Sequence, residues 1–257
     1  MGMQGVGALW WREIIRFVRQ RSRLVGAFAQ PLVFWVLLGA GFSESFRPTG
    51  TPEDVGSMAY FYPGIIGMVL LFTAIFSTIA VVEDRKSGFL QGVLVSPISR
   101  GGVVLGQALG GTTLAVLQGV LFLALAPLVG IPLSLGSVVA SVLVITAIAF
   151  ALTSLGLVIA WRMESTQGFH AIMNLILMPI WILSGAVFPA AGAAGWLAWI
   201  MQLNPLTYGM AALRRTLYLN APAAVGPVPG LAVSLVVTAL FCVGTFVGAT
   251  VVARRGR

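Results

Sequence analysis

The chain is organised around one short stretch, residues 83–100, which reads EDRKSGFLQGVLVSPISR. Four charged residues stand together at its start, and residues 55–82 and 101–161 on either side contain no charge. Apolar residues then recur at a helical spacing, at Phe89, Leu90, Val93 and Leu94. This pattern predicts either a short amphipathic helix on a membrane face, with its charged end free to meet another protein, or a solvated loop between two spans.

The composition predicts an all-α membrane protein. The 257 residues are 58% hydrophobic and only 9% charged, whereas about a quarter of the residues are charged in soluble domains. Several apolar runs reach the roughly 20 residues that a helix needs to cross a bilayer. Strict alternation of apolar and polar residues is absent, which argues against a β-barrel.

Hydropathy and turn signals predict a single domain, 1–257, with six transmembrane helices, at about 24–42, 60–82, 103–128, 135–160, 167–188 and 231–252. Residues 1–23 are basic and amphipathic, which predicts an interfacial helix in the headgroup plane or a plain juxtamembrane tail. Residues 189–225 are rich in Ala, Gly and Pro, and predict short re-entrant helices before the last span.

The basic residues predict the orientation. With the N-terminus inside, the segments 1–23, 83–100, 162–164 and 254–257 hold twelve of the fifteen basic residues. This positive-inside bias predicts six spans with both termini cytoplasmic. It also accounts for the net charge of +8 without nucleic acid as a partner.

Glycines at positions 102, 106 and 110 are spaced four apart, as are Gly244 and Gly248. Such spacing puts small residues on one helix face and allows a second helix to approach closely, although it also arises by chance in a glycine-rich chain.

The residues predict no catalytic site, no metal site and no cofactor on this chain. Lys86-Ser87 follows Arg85, where a phosphate-binding loop requires Gly, so any ATP and Mg²⁺ would be bound by another chain. One His and one Cys are too few for a metal centre of the zinc type. His170, near the start of the fifth predicted span, is either a packed residue or part of a path.

The 83–100 stretch resembles the ABC-2 type permeases, the class of drug, polysaccharide and lipid exporters that includes daunorubicin-resistance and nodulation-exporter permeases. The matching residues are Glu83, Arg85, Gly88, Phe89-Leu90, Leu94-Val95, Ser96-Pro97 and Arg100. Gln91 stands where the family usually has a second Glu. A second resemblance, before the last span, consists of Asn204-Pro205-Leu206-Thr207-Tyr208 and Ala212-Leu213-Arg214.

The resemblance implies the permease subunit of an ATP-driven exporter of amphipathic, lipid-like or glycan-type substrates, which pairs with a second permease subunit and docks on a separate ATP-binding subunit in the cytoplasmic membrane. It implies ATPase coupling through Glu83, Asp84, Arg85, Lys86, Gly88, Phe89, Leu90, Pro97 and Arg100. It implies an outer gate at Asn204, Pro205, Tyr208 and Arg214, with the first and fifth spans facing the second permease. The residues alone leave open an ATPase-independent secondary transporter or a membrane assembly factor.

Overall fold

A computed structural model describes residues 2–41, 56–96, 98–190 and 192–255. In these ranges the chain forms ten α-helices and no strand. The helices are α1 (Gly2–Arg19), α2 (Arg21–Gly41), α3 (Ser57–Lys86), α4 (Phe89–Leu94), α5 (Arg100–Ala124), α6 (Leu135–Ala160), α7 (Thr166–Trp181), α8 (Gly195–Leu203), α9 (Pro205–Leu217) and α10 (Leu231–Arg255). Short 3₁₀ turns lie at Ala126–Val129 and Pro222–Val225, and a π turn at Ile182–Ala186 follows α7.

Helix α3 is the centre of the bundle. It has no charged residue before Glu83, and its side chains are buried on every face from Ala59 to Val82 apart from the half-buried Phe76. A helix that is apolar all round must be covered all round. Helices α2, α5, α6, α7 and α9 provide that cover, and α10 packs outside them against α6 and α9.

Five helices are long and apolar enough to cross a membrane, namely α3, α5, α6, α10 and the segment Thr166–Ala186 that joins α7 to its π turn. A shorter apolar helix covers Val25–Gly41, within the first predicted span. The predicted all-helical membrane fold is therefore found, while the count of six spans stays a prediction. Most of the loop predicted after the first span lies outside the described residues.

The outer surface of this bundle is apolar. Large side chains of α10 point away from the protein, among them Leu240, Val243 and Val247. Exposed apolar surface of this extent would be unfavourable in water, and a lipid environment removes that cost. The fold thus defines a multi-pass membrane protein.

One face of helix α1 packs against the rest of the bundle. Leu9, Glu13 and Phe17, spaced four apart, are buried, whereas Trp11 and Val18 are each 56% exposed. Helix α1 packs lengthwise against the first half of α5, and the headgroup-plane position of residues 1–23 stays a prediction. The predicted segment 1–23 also divides, since Gln20 separates α1 from α2.

The glycines of α5 allow this packing. A Cβ atom added to Gly106 would lie 2.9 Å from Cβ of Leu9, and one added to Gly110 would lie 2.6 Å from Cβ of Glu13. The predicted close approach is confirmed, and its partner is α1. Gly244 behaves differently, because no atom within the described chain lies within 4 Å of a Cβ built on it.

Replacing Gly110 with Ala should lower the free energy of unfolding in detergent by about 1–3 kcal/mol, because the added methyl group overlaps the Glu13 side chain and pushes α1 from α5. Gly244→Ala is the matched control. It adds the same methyl group to a helix at an open position, and should stabilise the protein by about 0.5–1 kcal/mol. Thermal unfolding of both variants measures the difference, and equal midpoints would contradict the packing described.

Candidate coupling surface

The stretch 83–100 forms the end of one helix and the start of the next. Glu83 to Lys86 are the last turn of α3, and Gly88 follows with φ +76° before α4 begins at Phe89. The amide of Gly88 donates to the Arg85 carbonyl at 3.2 Å. The prediction that the charged residues open the amphipathic helix is therefore wrong: they close α3, and the left-handed glycine reverses the chain.

Two arginines of α1 bind the acidic residues at the end of α3. Arg12 donates from Nη1 to Oδ2 of Asp84 and from Nη2 to Oδ1, both at 2.7 Å. Arg16 donates to Oδ1 of Asp84 at 2.6 Å and to Oε2 of Glu83 at 2.5 Å. Asp84 is only 3% exposed. We call Arg12, Arg16, Glu83 and Asp84 the ion-pair cluster.

This cluster corrects the prediction of a charged end that is free to meet another protein. Two negative side chains at a helix C-terminus repel the partial negative charge of the carbonyl groups there. The arginines of α1 offset that repulsion with charge-assisted, partly bidentate hydrogen bonds. The hydrogen bonds with Asp84 raise the pKa of Arg12 above its ordinary value.

Arg85 and Arg100 are also engaged within the chain. Arg85 donates to the carbonyls of Trp161 at 2.6 Å and Met163 at 3.1 Å, beyond the end of α6. Arg100 donates to the carbonyl of Ala253 at 2.8 Å, in the last turn of α10. Helix C-termini leave carbonyls without intrahelical donors, and both arginines supply such donors. Neither side chain points outward as a docking group would.

The face that remains for a partner lies on α4 and its flanks. Lys86, Gln91 and Gly92 are exposed, and Val95 is 87% exposed. Leu90 is buried and anchors α4 to the core. We call the exposed residues Lys86, Gln91, Gly92 and Val95 the α4 face; Pro97 lies outside the described residues.

Arg12 also links α1 to α4. Its guanidinium lies 3.8 Å from the ring centroid of Phe89, within the range of a cation–π interaction. Beside this contact, an open groove of about 400 Å³ runs between the two helices. A single arginine therefore touches the end of α3 and the start of α4.

The second motif begins with the cap of α9. Asn204 accepts a hydrogen bond from the Leu206 amide at 3.0 Å, and Pro205 occupies the first helical position. The side-chain amide of Asn204 donates to the carbonyl of Ile180 at 2.6 Å. Tyr208 donates from its hydroxyl to the Gln202 carbonyl at 3.0 Å, which ties α9 back to α8. The motif therefore joins α9 to the end of α7.

Arg214 of the same motif lies inside the protein. It is 5% exposed, donates from Nη2 to the carbonyl of Tyr60 at 3.1 Å, and lies 4.3 Å from the centroid of the Tyr60 ring. The neighbouring carbonyl of Ala59 has no donor from Pro63, which lacks an N–H group, and the Tyr218 hydroxyl donates to it at 2.8 Å. Neither Tyr60 nor Tyr218 was assigned to the gate from the sequence. The sequence signal for a donor such as Tyr218 is Pro63, which leaves the Ala59 carbonyl without its intrahelical partner.

His170 packs among aromatic rings. Its ring centroid lies 6.3 Å from that of Phe76 and 6.0 Å from that of Phe169, both in edge-on orientations. Of the two alternatives that the sequence left open, the structure supports the packed residue.

The chain is thus a polytopic helical membrane protein with an apolar bundle around α3, a charged end that α1 holds by ion pairs, and the capped helix α9 at the other end. The chain belongs to the ABC-2 type transporter family, whose model matches residues 4–218.

Three relatives agree with this family. Nodulation protein J of Rhizobium leguminosarum bv. viciae is 26% identical over 96% of this chain and 93% of its own length. Nodulation protein J of Rhizobium leguminosarum bv. trifolii is 31% identical over 71% of this chain and 69% of its own length. The transport permease ycf38 of Cyanophora paradoxa is 26% identical over 79% of this chain and 70% of its own length.

Removing the charge of Asp84 should destabilise the protein, because Arg12 and Arg16 would lose their shared acceptor next to the core. We expect Asp84→Asn to lower the free energy of unfolding by about 2 kcal/mol. Glu164→Gln makes the same chemical change in an exposed turn and should cost less than about 0.5 kcal/mol. The free energy of unfolding of both variants in mixed micelles tests this prediction. A small and equal loss of stability in the two variants would refute the structural role of the cluster.

Replacing Gly88 with Ala forces a Cβ atom into the left-handed region. The expected cost is about 1–2 kcal/mol, or a displaced α4. Gly92→Ala, in the helical part of α4 and with open space around it, should be neutral or slightly stabilising. Limited proteolysis at α4 reports the displacement, and it should increase only in the Gly88 variant.

Proposed function

We propose that this chain is the transmembrane permease subunit of an ATP-driven exporter in the cytoplasmic membrane, with both termini on the cytoplasmic side. Its membership of the ABC-2 type transporter family supports a transport role, and permeases of this family generally work with an ATP-binding subunit. ATP and Mg²⁺ would bind to that separate subunit, and this chain would carry no catalytic residue.

One observation carries the proposal: the exposed α4 face is linked rigidly to the most buried helix. Gly88 connects α4 to the end of α3, and Arg12 contacts both the Phe89 ring and the Asp84 carboxylate. A force applied to α4 by a partner is therefore passed to α3 and α1 together. Of the residues that the resemblance assigned to coupling, the exposed Lys86 would touch the partner, while Glu83, Asp84, Arg85 and Arg100 would transmit the motion.

A second permease subunit, in the simplest case another copy of this chain, would cover the faces of α2, α7 and residues 189–225 that the monomer leaves open. Asn174 is exposed in the middle of α7, between Met173 and Leu175. A side-chain amide facing lipid is unfavourable without a hydrogen-bond partner. A neighbouring subunit or a polar path would satisfy it.

The substrate class follows from the lining that such a pair would offer. The exposed face of α7 combines the apolar side chain of Leu175 with the amides of Gln167 and Asn174. Such a surface suits a molecule with apolar and polar parts, so we propose an amphipathic, lipid-like or glycan-type substrate.

The test is a mild-detergent purification of the tagged chain from its native membrane, with mass spectrometry of the proteins that come with it. We expect a stoichiometric ATPase with a phosphate-binding loop. Recovery of the chain alone after crosslinking would overturn the proposal, and would favour an ATPase-independent transporter or an assembly factor.

Charge reversal on the α4 face sharpens this test. Lys86→Glu combined with Val95→Glu changes only exposed side chains, and should lower the recovered ATPase about tenfold, which corresponds to about 1.4 kcal/mol. Arg162→Glu reverses an exposed charge in the turn between α6 and α7 and should leave recovery unchanged. Equal recovery from all variants would place docking elsewhere.

A further inference from the structure

The outward face of α10 is a continuous apolar strip. Its large side chains are exposed and recur three or four residues apart, at Leu240, Val243, Val247 and Val251. We call these four residues the α10 strip. Of the five helices that are long and apolar enough to cross a membrane, α10 is the least buried. The strip is about 17 Å long at about 1.5 Å per residue, which is close to half the thickness of a hydrocarbon core of about 30 Å.

Two arginines continue the strip at its end. Arg254 and Arg255 are exposed and lie three and four residues beyond Val251, which places them on the same helix face. Every ion pair found among the described residues involves Arg12 or Arg16. No acidic side chain in that part of the chain therefore neutralises either arginine of α10.

The end of α10 is held in place by α5. Arg100 donates from Nη1 to the carbonyl of Ala253 at 2.8 Å and to that of Arg254 at 3.2 Å. These carbonyls belong to the last turn of the helix, where backbone acceptors lack intrahelical donors and the chain tends to fray. Arg100 therefore fixes the position of the two arginines relative to the strip, and it adds a third cation beside them.

The positive charge at this helix end argues against a second copy of this chain on the strip. Identical subunits usually pair about a symmetry axis, and a twofold interface brings the same patch of both copies together. In a membrane the copies share one orientation, so contact through α10 would place Arg254 and Arg255 beside the same residues of the other copy. Like charges placed in this way repel. Helix α10 packs on α5, α6 and α9, whereas the proposed second permease subunit would cover α2 and α7.

An anionic phospholipid matches both parts of this surface. Its acyl chains would lie along the apolar side chains, and its phosphate would meet the guanidinium groups at the end of the helix. Guanidinium groups bind phosphate oxygens through charge-assisted, often bidentate hydrogen bonds. Basic residues next to a membrane surface also attract anionic lipids.

We propose that α10 binds an anionic phospholipid, with the phosphate paired with Arg254 and Arg255 and an acyl chain packed on Val243, Val247 and Val251. The head of the lipid lies in the leaflet at the same end of the bundle as the ion-pair cluster. The site is one of binding alone, and it does not depend on whether ATP drives transport.

Native mass spectrometry of the purified, delipidated chain titrated with phosphatidylglycerol tests the proposal. Arg254→Gln combined with Arg255→Gln should weaken binding of the first lipid about tenfold, because two basic residues that attract the anionic head are lost. Lys86→Gln combined with Arg162→Gln removes the same charge from two other exposed positions at this end of the bundle, and should leave the affinity unchanged. An equal loss in the two double variants, or none in the arginine pair of α10, would overturn the site.

Two further probes separate the contributions of head and chains. Phosphatidylcholine with the same acyl chains has no net charge and should bind the natural chain more weakly than phosphatidylglycerol does, so equal affinity for both lipids would contradict the role of the arginines. Inorganic phosphate has the charge without the chains and should not displace the bound lipid. Displacement by phosphate would show a site for free anions instead of a lipid site.

Photo-crosslinking of the unmodified chain in phosphatidylcholine bilayers locates the lipid without any variant. Phosphatidylglycerol with a diazirine in one acyl chain is added at a low mole fraction, and the labelled peptides are identified by mass spectrometry. We expect residues 240–251 to be labelled more strongly than by phosphatidylcholine that carries the same diazirine. Equal labelling of this segment by the two lipids, or labelling confined to other helices, would refute the proposal.

A disulfide test detects the rival occupant, a second copy of this chain. In a Cys242→Ala background, Val247→Cys places a single thiol on the strip, and mild oxidation in bilayers should leave the chain monomeric on a denaturing gel. A disulfide-linked dimer would assign the strip to contact between copies and overturn the lipid site.

Discussion

Asp84 lies in the last turn of α3, where the backbone carbonyls already give the helix end a partial negative charge. A carboxylate buried there requires a cation, and α1 supplies two, from Arg12 and Arg16. The position of α1 follows from this requirement, since its arginines reach Asp84 when its other face lies on α5. The glycines of α5 make that contact close enough, and Arg12 then meets Phe89 at the start of α4.

At the same end of the bundle, unpaired backbone carbonyls also require hydrogen-bond donors. Helices α6 and α10 also end there, with carbonyls that lack intrahelical donors. Arg85 from α3 and Arg100 from α5 bind those carbonyls. Basic residues are concentrated at this end, and the described contacts show that many of them hold helix ends together. The charge bias used to predict orientation therefore has a structural function as well.

Much of the fold was predictable from the sequence, because hydropathy along the chain is a local property. The helices α3, α5, α6 and α10 match their predicted spans to within a few residues. The close approach at Gly106 and Gly110 was also predictable from spacing, although its partner was not. Predicting the helix that packs against these glycines requires knowing which elements of the fold meet, and a local sequence pattern does not contain that information.

The candidate site was less predictable for that reason. Arg12 and Asp84 are separated by 72 positions, and no local signal pairs them, so the acidic residues were interpreted as a free docking surface. Arg85 likewise donates to carbonyls at the end of α6, a helix that begins 50 residues later in the chain. Arg214 was identified by motif alone, and its burial against Tyr60 depends on how α9 packs on α3.

The contact between α1 and α5 restricts how α1 can move along α5. Leu9 and Glu13 pack against Gly106 and Gly110, which are four residues apart on α5, so side chains of one helix fill the gaps on the other. Sliding by a fraction of a turn would push a side chain onto a neighbouring bulky residue, whereas sliding by about 6 Å, the rise of four residues, would bring it to the next glycine. Small displacements of α1 along this axis are therefore opposed by side-chain overlap with α5.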